Sequence, residues 1–580
     1  MLPVNEEVYP DTLDQFIEKE GLSLQFEDIK IGEEIARGGY GVVYGGTLTS
    51  TGRPVALKFF GYTRNPPHLK WIEKEIRLMT KVKNCPNAVQ ILGVFTDHRM
   101  GSLPRKLHLR VFPVIVMEKL NGEDLFYRII QAGRFSERDA SKIFASFIRS
   151  VHYSHTKARV INCDLKAENV VFQSREVDDF SIKIIDFGTA LNLPVDGSDF
   201  VFDNVKRGTE ALIAPETSNC YNKFRAFVYS KQTDIWQAGC FLFIILFAAL
   251  PFGEGQEAEQ RILDSIVTEC HLPYYFHGGV STEAKDLILR MLDKNPATRI
   301  STADILKHPW VRYTEQVSDE DLGTEYRARV KSWAYCKQLK RVLADKITAG
   351  FERKILLENV LIAANNANNG TEMDEGNDEQ QQEPQQSSIV LTPEDFRYLQ
   401  LQFVESCREM DSREVTFEAF TQIVTNANMA FFARPDIFEV FDQDGSKTVD
   451  YFEFLLTLIP FRADANVENI ARLYFEVFDV DGNHTISQEE LQWILSKLLS
   501  EAEGGALMHP AAMIYQESLL GTVLEAHNFD DIFKCIDTNG DGVISFEEFD
   551  MFFKVINSRS TYHQSIMAVA TTHMETAHLS

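Results

Sequence analysis

The stretch DLKAEN at residues 164–169, followed by KIIDFG at 183–188, decides the fold of this chain. Asp164 supplies a carboxylate that can accept a hydroxyl proton. Asn169 and Asp186 supply oxygens of the kind that Mg²⁺ prefers in proteins. Two polar motifs at this spacing predict one metal-assisted site built from neighbouring loops.

A glycine-rich segment precedes these motifs. IARGGYGVVYGG at residues 35–46 has Gly38 and Gly41 in the last two positions of a G-x-G-x-x-G loop, with Ala36 in the first. Small residues there let backbone N–H groups approach phosphate oxygens. Taken alone, the segment could equally be an ordinary β-turn.

Three further motifs follow in a fixed order. VALK at 55–58 places Lys58 on a predicted strand, and the helical stretch WIEKEIRLM offers Glu75 as its ion-pair partner. APE at 214–216 closes the series. Six motifs in this order indicate phosphoryl transfer from a nucleotide, because scattered surface residues would not reproduce the order by chance.

Residues 28–310 therefore resemble a eukaryotic protein kinase, which implies an α+β bilobal protein-kinase fold. DIWQAG at 234–239 and Arg299 match further family motifs, with Asp234 bracing the catalytic loop and Arg299 pairing with Glu216. The HPW ending at 308–310 resembles the calmodulin-dependent branch, which implies Ser/Thr protein substrates.

The resemblance also implies roles for individual residues. Lys166 would lie near the γ-phosphate, Thr209 beside Asp164, and the hinge residues Glu118 and Leu120 would hold adenine through backbone groups. The implied catalytic residues are Asp164, Lys166, Lys58 and Thr209, and the implied Mg²⁺ ligands are Asn169 and Asp186. The implied ATP-binding residues are Ile35, Gly38, Gly41, Val43, Ala56, Lys58, Glu75, Glu118, Leu120 and Asp124.

The chain departs from the family at one motif, because Asn162-Cys163-Asp164 replaces His-Arg-Asp. Loss of the arginine removes the cation that gathers a phosphorylated activation loop, so control by phosphorylation there is not expected. Loss of the histidine removes a packing contact behind Asp186. Lys58, Asp164, Asn169 and Asp186 are all retained, which favours an active enzyme; the alternative is a calcium-sensing scaffold with an inactive pseudokinase domain.

The C-terminal third contains calcium-loop patterns. Calcium takes six to eight oxygens, which a 12-residue loop supplies from positions 1, 3, 5, 7, 9 and 12. The loop 537–548 fits the strict pattern, including Gly542 at the sharp turn, and two further loops, 442–453 and 479–490, fit it less completely. The expected ligands are Asp442, Asp444, Ser446, Thr448, Asp450 and Glu453; Asp479, Asp481, Asn483, Thr485, Ser487 and Glu490; and Asp537, Asn539, Asp541, Val543, Ser545 and Glu548.

The two less complete loops replace the glycine at position six with Lys447 and His484. A left-handed backbone costs a non-glycine residue on the order of 1–2 kcal/mol, or roughly a tenfold weakening. We expect both loops to bind calcium, against the alternative of solvated acidic turns.

A degenerate hand at about 395–425 precedes these loops. Aligning Val415 with Ile544 places Ala419 where the bidentate glutamate should be, so this hand is expected to be a metal-free partner of the loop 442–453. Residues 389–557 therefore resemble the all-α paired EF-hand domain of calmodulin-like proteins.

A basic helix is predicted between the two halves, at 326–346, because its apolar residues recur at helical intervals. The whole layout resembles the calcium-dependent protein kinases, in which this junction blocks the substrate cleft until the sensor domain binds calcium. A solvated spacer helix is the alternative. The remaining boundaries are an N-terminal extension at 1–27, the junction at 311–364, a disordered linker at 365–388 and a tail at 558–580.

Bulk composition excludes some classes of function. The 580 residues carry a formal charge of −27, which argues against nucleic-acid binding. Eight scattered cysteines, with no Cys-x-x-Cys pair, predict reduced thiols and a cytoplasmic protein. The apolar run 240–250 is too short for a membrane span and predicts a buried helix. We expect a monomer that binds ATP, Mg²⁺ and Ca²⁺.

Overall fold

The computed structural model divides the chain into two compact units, whose described parts are residues 9–331 and 357–550. Within these spans the structure describes residues 9–38, 41–61, 67–95, 110–176, 178–194, 197–218, 226–252, 280–324, 326–327, 329–331, 357, 390–410, 412, 414–442, 446–462, 470–480, 483–492, 533, 536–537 and 539–550. The predicted linker 365–388 and tail 558–580 lie outside the described residues, as does most of the predicted basic helix.

The first unit begins with an antiparallel sheet. Its strands are β1 (Ile29–Gly38), β2 (Gly41–Leu48), β3 (Pro54–Gly61), β4 (Ile91–Phe95) and β5 (Arg110–Glu118), in the order β1-β2-β3-β5-β4. β-Branched and aromatic residues give this segment its strand character, and Tyr44, Leu57 and Phe59 are buried on one face of the sheet. The sheet places Ala56 opposite Met117 and Lys58 opposite Ile115.

Two helices flank this sheet. They are α1 (Leu13–Lys19) and α2 (Pro67–Val82). α1 begins with a capping box, in which the Thr12 hydroxyl accepts from the amide of Gln15 and the Gln15 side chain accepts from the amide of Thr12. α2 buries Ile72, Ile76 and Met79 in the core of the lobe.

The rest of the first unit is mostly helical. Its helices are α3 (Leu125–Gln131), α4 (Glu137–Tyr153), α5 (Lys231–Phe247), α6 (Thr282–Met291), α7 (Thr302–Ile305) and α8 (Pro309–Arg312). The sequence 240–250, predicted as a buried helix, forms the end of α5 and the residues after it. α5 is buried on every side from Thr233 to Phe247, which explains its continuous apolar sequence.

Short strands support the loops of this helical lobe. They are β6 (Val160–Ile161), β7 (Val170–Phe172), β8 (Ile182–Ile184), β9 (Leu191–Asn192), β10 (Phe200–Asp203) and β11 (Phe227–Ser230). β6 pairs with β9, β7 with β8, and β10 with β11, all antiparallel. The predicted α+β bilobal fold is confirmed for this unit.

The second unit is built from paired helix–loop–helix elements. Its helices are α9 (Pro393–Glu409), α10 (Phe417–Asn426), α11 (Pro435–Phe441), α12 (Tyr451–Leu458) and α13 (Ile470–Phe478), and its strands are β12 (Glu414–Val415) and β13 (Val449–Asp450). Phenylalanines from successive helices pack in its core: Phe420 lies edge to face with Phe441 and Phe454, and those two rings are tilted against each other. The predicted helical sensor fold is confirmed.

The first unit extends beyond both predicted kinase boundaries. Ile17 and Leu22 lie in its core before residue 28, and Tyr326 and Val330 lie in the same core after residue 310. In the part of the chain that the structure describes, no helix has the length and apolar character to cross a membrane.

Candidate active site and calcium loops

A buried ion pair joins the sheet to α2. The Nζ of Lys58, on β3, lies 2.5 Å from the Oε1 of Glu75 on α2 and 3.8 Å from the Oδ1 of Asp186. Asp186 is held by its own turn, because its Oδ1 accepts the amide of Gly188 at 2.9 Å. Three of the sequence-predicted residues are thus brought together across the two lobes.

The charges of Lys58 and Asp186 stabilise each other. Burial lowers the pKa of Lys58, but the carboxylates of Glu75 and Asp186 outweigh it and raise the pKa above its ordinary value. Burial likewise acts to raise the pKa of Asp186, and the Lys58 ammonium and the Gly188 amide outweigh it and lower the pKa. Lys58 is therefore a cation and Asp186 an anion at neutral pH.

The predicted catalytic loop brings four polar side chains together. The Nζ of Lys166 lies 2.6 Å from the Oδ2 of Asp164 and donates to the hydroxyl of Thr209 at 3.0 Å. That hydroxyl donates to the Oδ1 of Asp164 at 2.8 Å. Asn169 donates to the backbone carbonyl of Asp164 at 3.0 Å. The Asp164 carboxylate is thus fixed by a lysine and a threonine from different segments.

Buried Asp234 holds the backbone in front of Asp164. Its two carboxylate oxygens accept the amides of Asn162 at 2.8 Å and Cys163 at 2.9 Å, and one of them also bonds the ring of His155 at 2.8 Å. These bonds fix the backbone where Cys163 has a φ of 66°. Asp234 lies where the sequence placed a bracing residue.

Asn162 corrects one sequence-based expectation. Its Nδ2 donates to the backbone carbonyl of Asp186 at 2.9 Å, and its Oδ1 accepts the amide of Asp164 at 3.1 Å. The contact behind Asp186 that we expected to be lost with the histidine is therefore made by a different side chain. An amide has both a donor and an acceptor, so it links the two aspartate segments directly.

Cys163 occupies an apolar cluster rather than a cationic pocket. It is buried among Leu191, Leu193 and Val201 of the activation segment (residues 186–216) and Tyr229 of β11. Burial raises the pKa of its thiol well above the ordinary value. Apolar packing therefore organises the activation segment at the position of the missing arginine.

The end of the activation segment is fixed by a buried arginine. The Nη1 and Nη2 of Arg299 donate to the two oxygens of Glu216 at 2.7 Å and 2.9 Å. The Nη1 group also donates to the carbonyl of Gln232 on α5. This two-point ion pair lies where the sequence predicted it.

The predicted nucleotide-binding residues line the sheet and the chain segment that follows it. Gly38 and Gly41 pair at the end of the β1–β2 hairpin, while residues 39–40 are not described. Ile35 and Val43 are partly buried against the same core as Ala56.

The hinge residues follow β5. Glu118, the last residue of β5, is half-buried, as is Leu120, and Asp124 caps α3 by accepting the amide of Tyr127 at 3.0 Å. These placements leave the roles of the nucleotide-binding residues as predictions.

The sequence did not single out several residues that hold these segments. Gln237 accepts the amide of Leu165 at 3.0 Å and donates to the carbonyl of Cys163 at 2.9 Å. Lys183 on β8 pairs with Glu118 at the hinge. Gln237 lies within the quoted DIWQAG motif, so the motif was visible although the contact was not.

The loop 537–548 folds its carboxylates inward. The oxygens of Asp537 accept the amides of Gly540 at 2.7 Å and Gly542 at 3.0 Å. Glu548, at position 12, reaches back to the amide of Asn539 at 3.1 Å. Gly542 has a φ of 88°, as the sharp turn requires. The first and last carboxylates therefore both face the interior of the loop.

The loops 442–453 and 479–490 adopt a similar turn without glycine. Lys447 has a φ of 68° and His484 a φ of 66°, and each amide donates to the aspartate at position 1, at 3.0 Å in both loops. Glu490 reaches back to the amide of Val480 at 3.0 Å. The remaining predicted ligands Ser446, Thr448, Asp450, Glu453, Asn483, Thr485, Ser487, Asp541, Val543 and Ser545 lie within the loops as described, and Asp444 and Asp481 lie outside the described residues.

The hands are paired through short strands. Val415 pairs with Val449, which joins the degenerate hand to the loop 442–453. Ile486 and Ile544 exchange two amide-to-carbonyl hydrogen bonds of 2.9 Å, which join the other two loops. The structure thus places the degenerate hand beside the loop that the sequence assigned to it.

The donor set of these loops suits a hard cation. Carboxylate, amide, hydroxyl and carbonyl oxygens are the ligands that calcium takes. Among the described residues no group of three or more His, Cys, Asp or Glu side chains lies close enough to hold a metal by itself. The loops draw on Asn, Ser and backbone oxygens as well, and in the loops 479–490 and 537–548 the position-1 and position-12 carboxylates face inward, so the residues fit calcium.

Two segments of the chain match known domain families. Residues 29–311 match the protein kinase domain, and residues 467–554 match the EF-hand domain pair. The first match covers the site around Asp164 and Lys58. The second covers the loops 479–490 and 537–548.

The relatives that match the chain include two calcium-dependent protein kinases. Calcium-dependent protein kinase 9 of Arabidopsis thaliana is 32% identical over 332 residues, which are 56% of this chain and 56% of that protein. Calcium-dependent protein kinase 21 of Arabidopsis thaliana is 27% identical over 550 residues, which are 93% of this chain and 84% of that protein. The chain thus spans little more than half the length of some of the relatives that it matches.

A solved structure is also similar. The autoinhibited serine kinase domain of the giant muscle protein titin is 23% identical, with a TM-score of 0.43, and the likeness covers 53% of this chain and 88% of that one.

Proposed function

We propose that the chain is a calcium-dependent protein kinase, which transfers the γ-phosphate of ATP to serine or threonine hydroxyls of proteins under the control of calcium. One observation carries the proposal. A single chain combines the Lys58–Glu75–Asp186 contacts and the fixed Asp164 carboxylate with loops whose carboxylates face inward.

Each polar group of the active site has a role in this proposal. Asp164 accepts the proton of the substrate hydroxyl, and Thr209 and Lys166 hold its carboxylate in place. The ammonium groups of Lys166 and Lys58 provide positive charge for the phosphates. Glu75 keeps Lys58 in position.

Magnesium and nucleotide would be held by residues on both lobes. Asn169 and Asp186 would hold Mg²⁺, which when bound neutralises charge on the phosphates. The nucleotide side comprises Ile35, Gly38, Gly41, Val43, Ala56, Glu118, Leu120 and Asp124. Backbone groups of the hinge orient the adenine, and the partly buried Ile35 and Val43 cover it.

Calcium would act through the three loops. Asp537, Asn539, Asp541, Ser545, Glu548 and the carbonyl of Val543 form the site with glycine at its turn, and the loops 442–453 and 479–490 form the other two. Moving a switch from about 1:99 to about 99:1 needs roughly 5.5 kcal/mol of preferential binding, or about twentyfold per ion for three ions. A sharp switch therefore requires that all three loops bind.

The junction provides the inhibitory element in this proposal. The start of its predicted basic helix is attached to the helical lobe: Tyr326 is buried, donates to the carbonyl of Ile245 at 2.7 Å and stacks on Phe135. Arg329 donates to the carbonyl of Phe247 at 3.1 Å. A basic helix that continues from this anchor can contact an acidic substrate site and, in calcium, an opened EF-hand groove.

We further propose a monomeric, cytoplasmic protein. The cysteines Cys85, Cys163, Cys240 and Cys407 are free thiols, as expected in a reducing compartment.

The test is phosphate transfer from radiolabelled ATP to a basic serine peptide, with the full chain in calcium or in chelator. We expect turnover in calcium and little in chelator. Asp164→Asn should abolish turnover. The matched variants Glu490→Gln and Glu548→Gln should remove only the response to calcium. A folded chain without turnover in either condition would instead be a scaffold, and turnover indifferent to chelator would exclude the switch.

A further inference from the structure

The N-terminal segment at residues 9–24 is attached to the edge strand β4. Val94 donates its amide to the carbonyl of Leu22 at 2.7 Å, and its carbonyl accepts the amide of Leu24 at 3.1 Å. Ser23 forms a parallel bridge with Val94. A Cβ on Gly93 would lie 2.2 Å from the Leu24 side chain, so glycine permits this close approach. The segment therefore has one fixed register on the lobe.

Helix α1, within this segment, packs on the same core as α2. Ile17 and Leu22 are buried in the cluster that contains Ile72 and Ile76 of α2, and Phe16 packs against it. The capping box at Thr12 fixes where α1 begins. The segment thus shares an apolar core with α2.

Arg77 of α2 is enclosed by this segment. Its guanidinium donates to the side chain of Asp11 at 2.9 Å, to the backbone carbonyl of Asp11 at 2.8 Å and to Glu73 at 2.7 Å. The rings of Tyr9 and Phe16 lie 4.1 Å and 4.3 Å from its central carbon. The side chain is 6% exposed. A buried arginine with this many partners fixes the segment and the helix to each other.

Arg77 and Glu75 lie on different faces of α2. Residues two positions apart in an α-helix are separated by about 200° around the helix axis. Glu75 faces Lys58, so Arg77 faces away from the active site and toward the N-terminal segment. The Arg77 guanidinium lowers the pKa of Asp11, so the partner carboxylate is charged at neutral pH. The helix is thus held from both sides.

We propose that residues 9–24 form a clamp in which Asp11, Tyr9 and Phe16 hold Arg77, and that this clamp keeps α2 where Glu75 can pair with Lys58. Arg77 is a positioning residue, since it acts on the nucleotide through Glu75. This inference rests on the proposed kinase activity, but the clamp itself can be tested without it.

The experiment compares the full-length wild type with Arg77→Met, Asp11→Asn and the double variant. We expect Arg77→Met to lower kcat/KM for ATP about five- to tenfold, mainly through a higher KM, and Asp11→Asn to lower it about threefold. The double variant should be no worse than Arg77→Met alone, because the two residues share one contact. A merely structural role would lower kcat with the folded fraction and leave KM unchanged.

The matched control is Glu20→Gln, which weakens a partly exposed ion pair of the same segment, with Lys83 at 3.2 Å. We expect its kcat/KM to equal that of the wild type. Hydrogen exchange gives a second measurement, in which Arg77→Met should speed exchange of the amides of α2 about tenfold and leave those of α5 unchanged.

Each outcome decides the matter. Three results for Arg77→Met would overturn the clamp. They are an unchanged KM for ATP in an active kinase, an unchanged rate of hydrogen exchange in α2, and an equal increase of that rate in α2 and α5. A wild type without transfer would overturn the proposed function, and selectively faster exchange in α2 would still support the clamp.

Discussion

Replacing Asn162 with alanine should disconnect the two aspartates of the active site. The side chain is buried, with 4% exposure, and makes one bond of 2.9 Å to the Asp186 carbonyl and one of 3.1 Å to the Asp164 amide. Each bond contributes about 1 kcal/mol, and a buried partner left unpaired costs about 1–3 kcal/mol. Counting about 1–2 kcal/mol for each of the two partners gives roughly 2–4 kcal/mol for the loss of Asn162.

That energy sets the expected kinetic effect. If all of it is lost from the transition state, kcat falls about 30- to 900-fold, since 1.36 kcal/mol corresponds to tenfold. Asn162→His should retain more activity, because a ring nitrogen can donate to the Asp186 carbonyl. Its effect should lie between those of the wild type and the alanine variant.

The assay is steady-state peptide phosphorylation in calcium, with nucleotide binding measured separately. Asn87→Ala is the matched control, because it also removes an asparagine side chain, which donates to the carbonyl of Ile182 at 3.1 Å and contacts neither aspartate. A folded Asn162→Ala protein with the kcat of the wild type would refute the reasoning.

Three further predictions address other features. Because burial raises the pKa of Cys163, its thiol should resist iodoacetamide at pH 8 in the native protein; mass spectrometry that found it alkylated within minutes would contradict this. Arg299→Met should lower the melting temperature and should lower the free energy of unfolding by about 3–5 kcal/mol, because it leaves Glu216 unpaired. A calorimetric change in that free energy below about 1 kcal/mol would show the pair to be unimportant. His484→Gly should raise calcium affinity up to about tenfold by removing a backbone strain of about 1–2 kcal/mol, whereas His484→Ala should not; equal titration curves for the two variants would exclude strain as the cause.

The sequence located most of the candidate site because its chemistry lies in short motifs. Lys58, Asp164 and Asp186 each sit in a local pattern whose order along the chain carries the information. The pairing of Val415 with Val449 was also accessible, because it follows from aligning one hand with another.

Contacts between distant residues were not predictable in this way. Arg77 and Asp11 are 66 positions apart, and a seven-residue helix such as α1 gives too short a pattern to distinguish it from an acidic lead-in. The bond from Asn162 to Asp186 depends on the geometry of two loops rather than on either motif. Loss of the family histidine could be seen in the sequence, but not the side chain that takes its place.

The two amide-to-carbonyl bonds between Ile486 and Ile544 have a consequence for the shape of the calcium response. An ion that orders the backbone of one loop also orders the strand that the other loop shares, so the second ion binds a framework already in place. The loop 442–453 is paired instead, through Val415, with the degenerate hand, which we expect to bind no metal. The titration should therefore combine one cooperative pair with one independent site, and the steep part of the curve should come from the pair.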